Sequence, residues 1–121
     1  MRRGKEIAQG AHASLGAILS LGNYYNSQNP NGGLVRTFVA NLDDRSYPWL
    51  TGRFAKVTVI VNSEEELLEL EKVAKEKGLI TCLIQDSGFT EFKGVPTYTT
   101  LAIGPDKNEN IDPITKHLKL Y

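Results

Sequence analysis

Near the start of the chain apolar residues recur at helical spacing: Ile7, Ala11, Leu15 and Ile18. With the alanines between them they predict a helix over residues 4–21, ended by Gly22 and Asn23. The pattern then dissolves. Residues 23–46 (NYYNSQNPNGGLVRTFVANLDDRS) are rich in Asn, Gly and Ser and read as a long connection, with a short ordered piece at 34–40. A turn of helix is expected at 48–51. KVTVIV, residues 56–61, is β-branched and strand-like. NSEEELLELEKVAKEKG follows as a strong helix signal. Ser63 is the cap, with Glu66 three residues on; Leu67, Leu70, Val73 and Ala74 form the stripe, and Gly78 is the stop. Residues 79–85 and 98–104 read as two more strands. A last helix is expected over 111–118, with Asp112 and Pro113 near its first turn. Strand, helix and strand over 56–85 predict a right-handed parallel crossover. The fold class expected is α/β, a sheet with helices packed on it.

At 121 residues the chain suits one domain, 1–121. No apolar run approaches the roughly 20 residues of a membrane span. Arginines precede a partly apolar stretch at the start, but Glu6, Gln9 and His12 interrupt it, so it is not read as a signal peptide. The single cysteine, Cys82, has no partner in the chain and reads as a buried inert thiol in a reducing cytoplasm. Net charge is zero but unevenly spread. Residues 1–62 hold seven Lys/Arg against three Asp/Glu, whereas residues 63–77 hold six Glu against three Lys. The first half could therefore meet a polyanion, while the acidic helix faces water.

Lys5, Gln9 and His12 stand at i, i+4 and i+7. At about 100° per residue they share a stripe roughly 60° wide beside the apolar face. Gly16 continues the stripe and leaves room for something to lie against the helix. The stripe is either a solvated polar face or one wall of a site. Asp86 closes the strand 79–85 and opens DSGFTEF. It is either an Asx turn into Ser87-Gly88 or a carboxylate at a strand end, where ligands gather in α/β sheets. Thr90 and Thr99 add hydroxyls that could hold a water or a carbonyl. There is no Walker loop, no GxSxG elbow, and neither paired cysteines nor HExxH for a metal. Hydrolysis by such a chain would use a water held by Lys, His, Asp and Thr, with no metal and no cofactor.

Three separated segments together are recognisable. RRGKEIAQGAHAS resembles the GK-[IL]-AAQ-xx-HA helix motif of the class II peptidyl-tRNA hydrolases, an archaeal and eukaryotic type with bacterial and phage members. DSGFTEFKGVPTYTTLAIGP resembles that family's D-[AS]-G-x-T-[EQ] … T-x-T-x-L-x-IGP segment, and ENIDPITKHLKLY its closing helix. The resemblance covers residues 2–22 and 47–121. It implies a three-layer α/β/α sandwich around a single mixed sheet, here without the family's usual first strand. It also implies hydrolysis of the ester joining a peptide, or an N-blocked amino acid, to the 3′ end of tRNA, recycling tRNA from stalled translation. The residues it marks as catalytic are Lys5, His12, Asp86, Thr90 and Thr99. Those it marks for substrate are Arg2, Arg3, Gln9, Gly88 and Glu91. Peptidyl-tRNA is the partner implied, in the cytoplasm, with a homodimer as a possible assembly. Glu91 stands where many relatives have Gln, and the residue added within KGVPTYT is of the bacterial type. The alternative is an impaired, truncated homologue that binds tRNA or a protein without turnover. A third reading is hydrolysis of another acyl ester.

Overall fold

The structure, a computed structural model, describes residues 2–86 and 95–121. In chain order the elements are α1 (Arg3–Leu19), β1 (Gly22–Gln28), β2 (Leu34–Ala40), α2 (Tyr47–Thr51) and β3 (Val59–Ile60). They continue with α3 (Glu64–Glu76), β4 (Thr81–Asp86), β5 (Thr97–Ile103), α4 (Asn108–Thr115) and β6 (Lys119–Leu120). The class is α/β, as the periodicity predicts. The pairing is not as predicted. Among the described residues the strands form three two-stranded antiparallel ladders, β1 with β2, β3 with β6 and β4 with β5. Among these residues the expected parallel crossover therefore does not join β3 to β4, and the strands do not form a single mixed sheet. Of KVTVIV only Val59 and Ile60 enter a ladder, and the chain's end takes them: they pair with Leu120 and Lys119, and Tyr121 N donates to Thr58 O at 3.0 Å.

Residues 23–46 are not the long connection expected. β1 and β2 pair along their whole length, from Gly22 opposite Ala40 to Gln28 opposite Leu34. The Asn- and Gly-rich NPNGG closes the hairpin. Asn29 Oδ1 accepts from the N–H groups of Asn31 and Gly33, and Gly32 takes φ +84°, a left-handed conformation that suits glycine. β2 is the ordered piece expected at 34–40; β1 and the pairing were not legible, because nearly every residue of both strands is exposed and neither shows one apolar face. Tyr24 and Phe38, directly opposed, supply a ring contact with centroids 5.4 Å apart.

β4 and β5 form the middle layer. Strand alternation puts Cys82, Ile84 and Asp86 on one face of β4, and Thr81 and Leu83 on the other. Ile103, opposite Thr81, packs on the small core of Ala74, Leu79 and Ile114, together with Leu70 and Val73. That core joins α3 and α4 to one face of the ladder. α3 starts as read from the sequence: Ser63 Oγ accepts from Glu66 N at 3.1 Å, and Gly78 follows the helix at φ +75°. Beside the core, Arg45 reaches from the turn before α2 to the buried Asp106 carboxylate, at 3.5 Å. That turn is held by Asp43, whose carboxylate accepts from the N–H groups of Arg45 and Ser46 and is thereby lowered to a pKa of about 2.

α1 lies across the other face. The sequence pattern expects Ile7, Ala11, Leu15 and Ile18 to point inward. Instead Ile7 and Leu15 are 66% and 59% exposed, and the buried residues are Gln9, Ala13 and Ala17. Small side chains, not large ones, meet the ladder. At Gly16 the approach is closest: a Cβ placed there would lie 2.6 Å from Cys82 Sγ. The room that Gly16 leaves is taken by this thiol. Cys82 is half-buried rather than buried as expected, and its partial burial pushes the thiol pKa above the ordinary value of 9.0, which favours the protonated form.

Gly16→Ala should lower stability by about 1–3 kcal/mol through overpacking, although alanine is the better helix former by about 1 kcal/mol. In a Cys82→Ala background the clash is gone and the same change should become neutral or stabilising. Urea denaturation of the four proteins measures this sign reversal. Alkylation of native Cys82 at pH 7 should be slower than that of the unfolded chain.

Candidate active site

α1 sends Lys5 and Gln9, one turn apart, to the end of β4. Lys5 Nζ lies 2.7 Å from Asp86 Oδ2, and Gln9 Nε2 donates to the same oxygen at 2.9 Å. The Asp86 side chain is only 3% exposed and that of Lys5 21%. A carboxylate so buried needs a cation and full hydrogen bonding to be tolerated. Lys5 and Gln9 meet that need from one helix face, the i and i+4 positions that adjoin on its surface.

The far end of the Gln9 amide meets β5. Its Oε1 accepts from Thr100 Oγ1 at 3.1 Å and also from Thr99 Oγ1. Neighbouring residues of a regular strand point to opposite faces, so two adjacent threonines should not reach one oxygen. The ladder register resolves this. Ile84 faces Thr100 but Gln85 faces Tyr98, which leaves Thr99 as the extra residue of a β-bulge. A bulge re-aims a side chain, and here it brings both hydroxyls to the α1 face. The Tyr98 N–H beside the bulge is taken up by Glu64 at the start of α3, 2.7 Å away.

Of the residues marked from sequence, the structure thus gathers Lys5, Gln9, Asp86 and Thr99. Thr90, Gly88 and Glu91 lie outside the described residues. His12 is exposed on α1, three residues on from the buried Gln9. Arg2 and Arg3 are exposed at the helix start. In the first turn Glu6 accepts from the Tyr121 hydroxyl, which raises the phenol's pKa and ties α1 to the β3–β6 ladder. Thr100 was not marked by the sequence reading. The run Thr97–Thr100 was visible, but alternation assigns its neighbours to opposite faces, and nothing local announces the bulge. Among the described residues no group of three or more His, Cys, Asp or Glu gathers as a metal ligand set.

The constellation is a buried carboxylate held by an ammonium and an amide, with threonine hydroxyls behind. Sequence comparison places the chain. The model of the family described as Peptidyl-tRNA hydrolase PTH2 matches residues 1–121. The chain belongs to that family. It is 39% identical over 120 residues to a protein of Methanocaldococcus jannaschii named peptidyl-tRNA hydrolase, covering 99% of this chain and 89% of that one. A protein of the same name from Nanoarchaeum equitans is 41% identical over 119 residues, covering 98% and 88%. A probable peptidyl-tRNA hydrolase 2 from Dictyostelium discoideum is 38% identical over 121 residues, but this chain spans only 49% of that protein. The family thus agrees with the resemblance carried by RRGKEIAQGAHAS and DSGFTEF.

Lys5→Met removes a cation 2.7 Å from a buried carboxylate and should cost about 3–5 kcal/mol of stability. Adding Asp86→Asn, which removes the buried charge, should recover part of the loss. Chemical denaturation of the single and double variants measures the coupling.

Proposed function

We propose that this protein hydrolyses the ester between a peptidyl, or N-blocked aminoacyl, group and the 3′ ribose of tRNA, without metal or cofactor. The observation that carries the reading is the Lys5–Asp86–Gln9 cluster on a chain matched by the PTH2 family from end to end. Asp86 orients a water and draws off its proton as the oxygen attacks the ester carbonyl. The carbonyl π electrons move onto oxygen, and the tetrahedral oxyanion is stabilised by the positive charge of the Lys5 ammonium. Collapse re-forms the carbonyl and breaks the bond to the ribose oxygen, which takes the proton back from Asp86, and the peptide leaves as its carboxylic acid. Thr99 and Thr90 hold the water or the substrate carbonyl. Gln9 orients Asp86, and Gly88 and Glu91 border the peptide. Arg2 and Arg3 meet phosphate beside the helix start, in keeping with the basic excess of residues 1–62. His12, exposed on the same helix, orients the substrate or neighbouring side chains.

The finer parts of the reading are recycling of tRNA in the cytoplasm, a homodimer, and membership of the bacterial or phage branch, which the added residue in KGVPTYT supports. No helix among the described residues is long and apolar enough to cross a membrane.

Purified protein should release N-acetylated amino acid from charged tRNA with a chelator present. Asp86→Ala and Lys5→Ala should each lower kcat by about 10²–10³-fold, the range for removing one group that stabilises the transition state. Turnover unchanged in both variants overturns the assignment. Folded protein that binds tRNA without releasing amino acid establishes the binding module instead. Equal release from aminoacyl esters lacking tRNA establishes a broader esterase.

A further inference from the structure

We infer that Thr100 is a positioning residue of this site, acting on Asp86 through Gln9; the inference rests on the hydrolase reading. A side-chain amide offers a carbonyl oxygen with two lone pairs and an NH2 with two donors. Thr99 and Thr100 both donate to Gln9 Oε1, which fills those lone pairs and turns Nε2 toward Asp86 Oδ2 at 2.9 Å. The reversed amide would set Oε1 against a carboxylate oxygen, two acceptors face to face. A hydroxyl alone can donate or accept and would tolerate either orientation. The carboxylate at one end and the hydroxyl pair at the other together leave one.

The two threonines are not equivalent. Thr100 stands in register opposite Ile84, so ladder hydrogen bonds fix where its side chain points. Thr99 is the unpaired bulge residue, with a backbone freer to adjust when substrate arrives. The geometry thus assigns the fixed anchor to Thr100 and leaves Thr99 able to turn toward water or carbonyl. If the Gln9 amide swings, one of the donors that hold the buried carboxylate is lost. Thr100 touches no reacting atom; it sets the direction of the Gln9 amide, which in turn holds the Asp86 carboxylate.

The test compares Thr100→Val, which removes the hydroxyl and keeps the shape, with Thr100→Ser, which keeps the hydroxyl. Loss of one hydrogen bond should lower kcat of Thr100→Val by about 2- to 12-fold, with KM little changed, and Thr100→Ser should stay near wild type. In a Gln9→Ala background Thr100→Val should add no further loss, because its effect passes through Gln9. A second readout does not need turnover: the Gln9 side-chain NH2, followed by NMR, should exchange with water faster in Thr100→Val and as in wild type in Thr100→Ser. Unchanged kcat with unchanged exchange overturns the proposal. So does an equal loss in the Gln9→Ala background, or a serine variant that behaves like valine. If the wild-type protein hydrolyses no charged tRNA, the hydrolase reading fails, and the exchange rates alone decide whether Thr100 orients Gln9.

Discussion

The closeness of α1 to the β4–β5 ladder is the constraint on which the site depends. Ala13 and Ala17 are buried to 2% exposure and Gly16 is in contact with Cys82, so the helix meets the ladder along a line of minimal side chains. Gln9 and Lys5 lie on the same line, one and two turns nearer the helix start than Ala13. Once the small residues set the helix down, these two polar side chains meet the strand end, where Asp86 sits. A bulkier residue at Gly16 would lift the helix and separate the ammonium from its carboxylate. Packing and chemistry are here one interaction.

Burying a carboxylate between a helix and a sheet opposes folding unless each partner is in place. The structure answers in three steps. Lys5 supplies charge, Gln9 supplies a donor, and β5 supplies the hydroxyls that hold Gln9. The last step needs the bulge, an irregularity that disrupts the β4–β5 ladder at Ile84/Gln85. Irregular backbone concentrated beside a polar cluster is what a functional site leads one to expect. Family membership places this cluster in a peptidyl-tRNA hydrolase fold without depending on any one contact.

The opposite face of the ladder does plainer work. Ile103 rests on Ala74, Leu79 and Ile114, and the Arg45–Asp106 ion pair ties the turn before α2 to the start of α4. Asp106 also accepts from Lys107 N and from Asn110 Nδ2, which holds the strand-to-helix corner below the core. The ladder that presents Asp86 and the threonines is thereby braced from behind. The Tyr121–Glu6 contact braces the first turn of α1 from the side.

The sequence by itself determined what local chemistry can write. The helix at 64–76 follows from Ser63, a dense apolar stripe and Gly78. The strands expected at 79–85 and 98–104 are found, with ends shifted by one or two residues, at 81–86 and 97–103, and the candidates Lys5, Gln9, Asp86 and Thr99 follow from spacing and resemblance. The hairpin stayed hidden because its strands face water on both sides, so no periodic apolar face exists to be read. The buried face of α1 was misread because hydrophobicity ranks isoleucine and leucine above alanine and glycine. Contact with a flat ladder instead rewards the smallest side chains, through distance. Which strands pair, where β5 carries its extra residue, and hence that Thr100 joins Thr99 on one amide oxygen, only the tertiary structure decided. Those facts are relations between segments up to about ninety residues apart, and no local pattern encodes a distance across the fold.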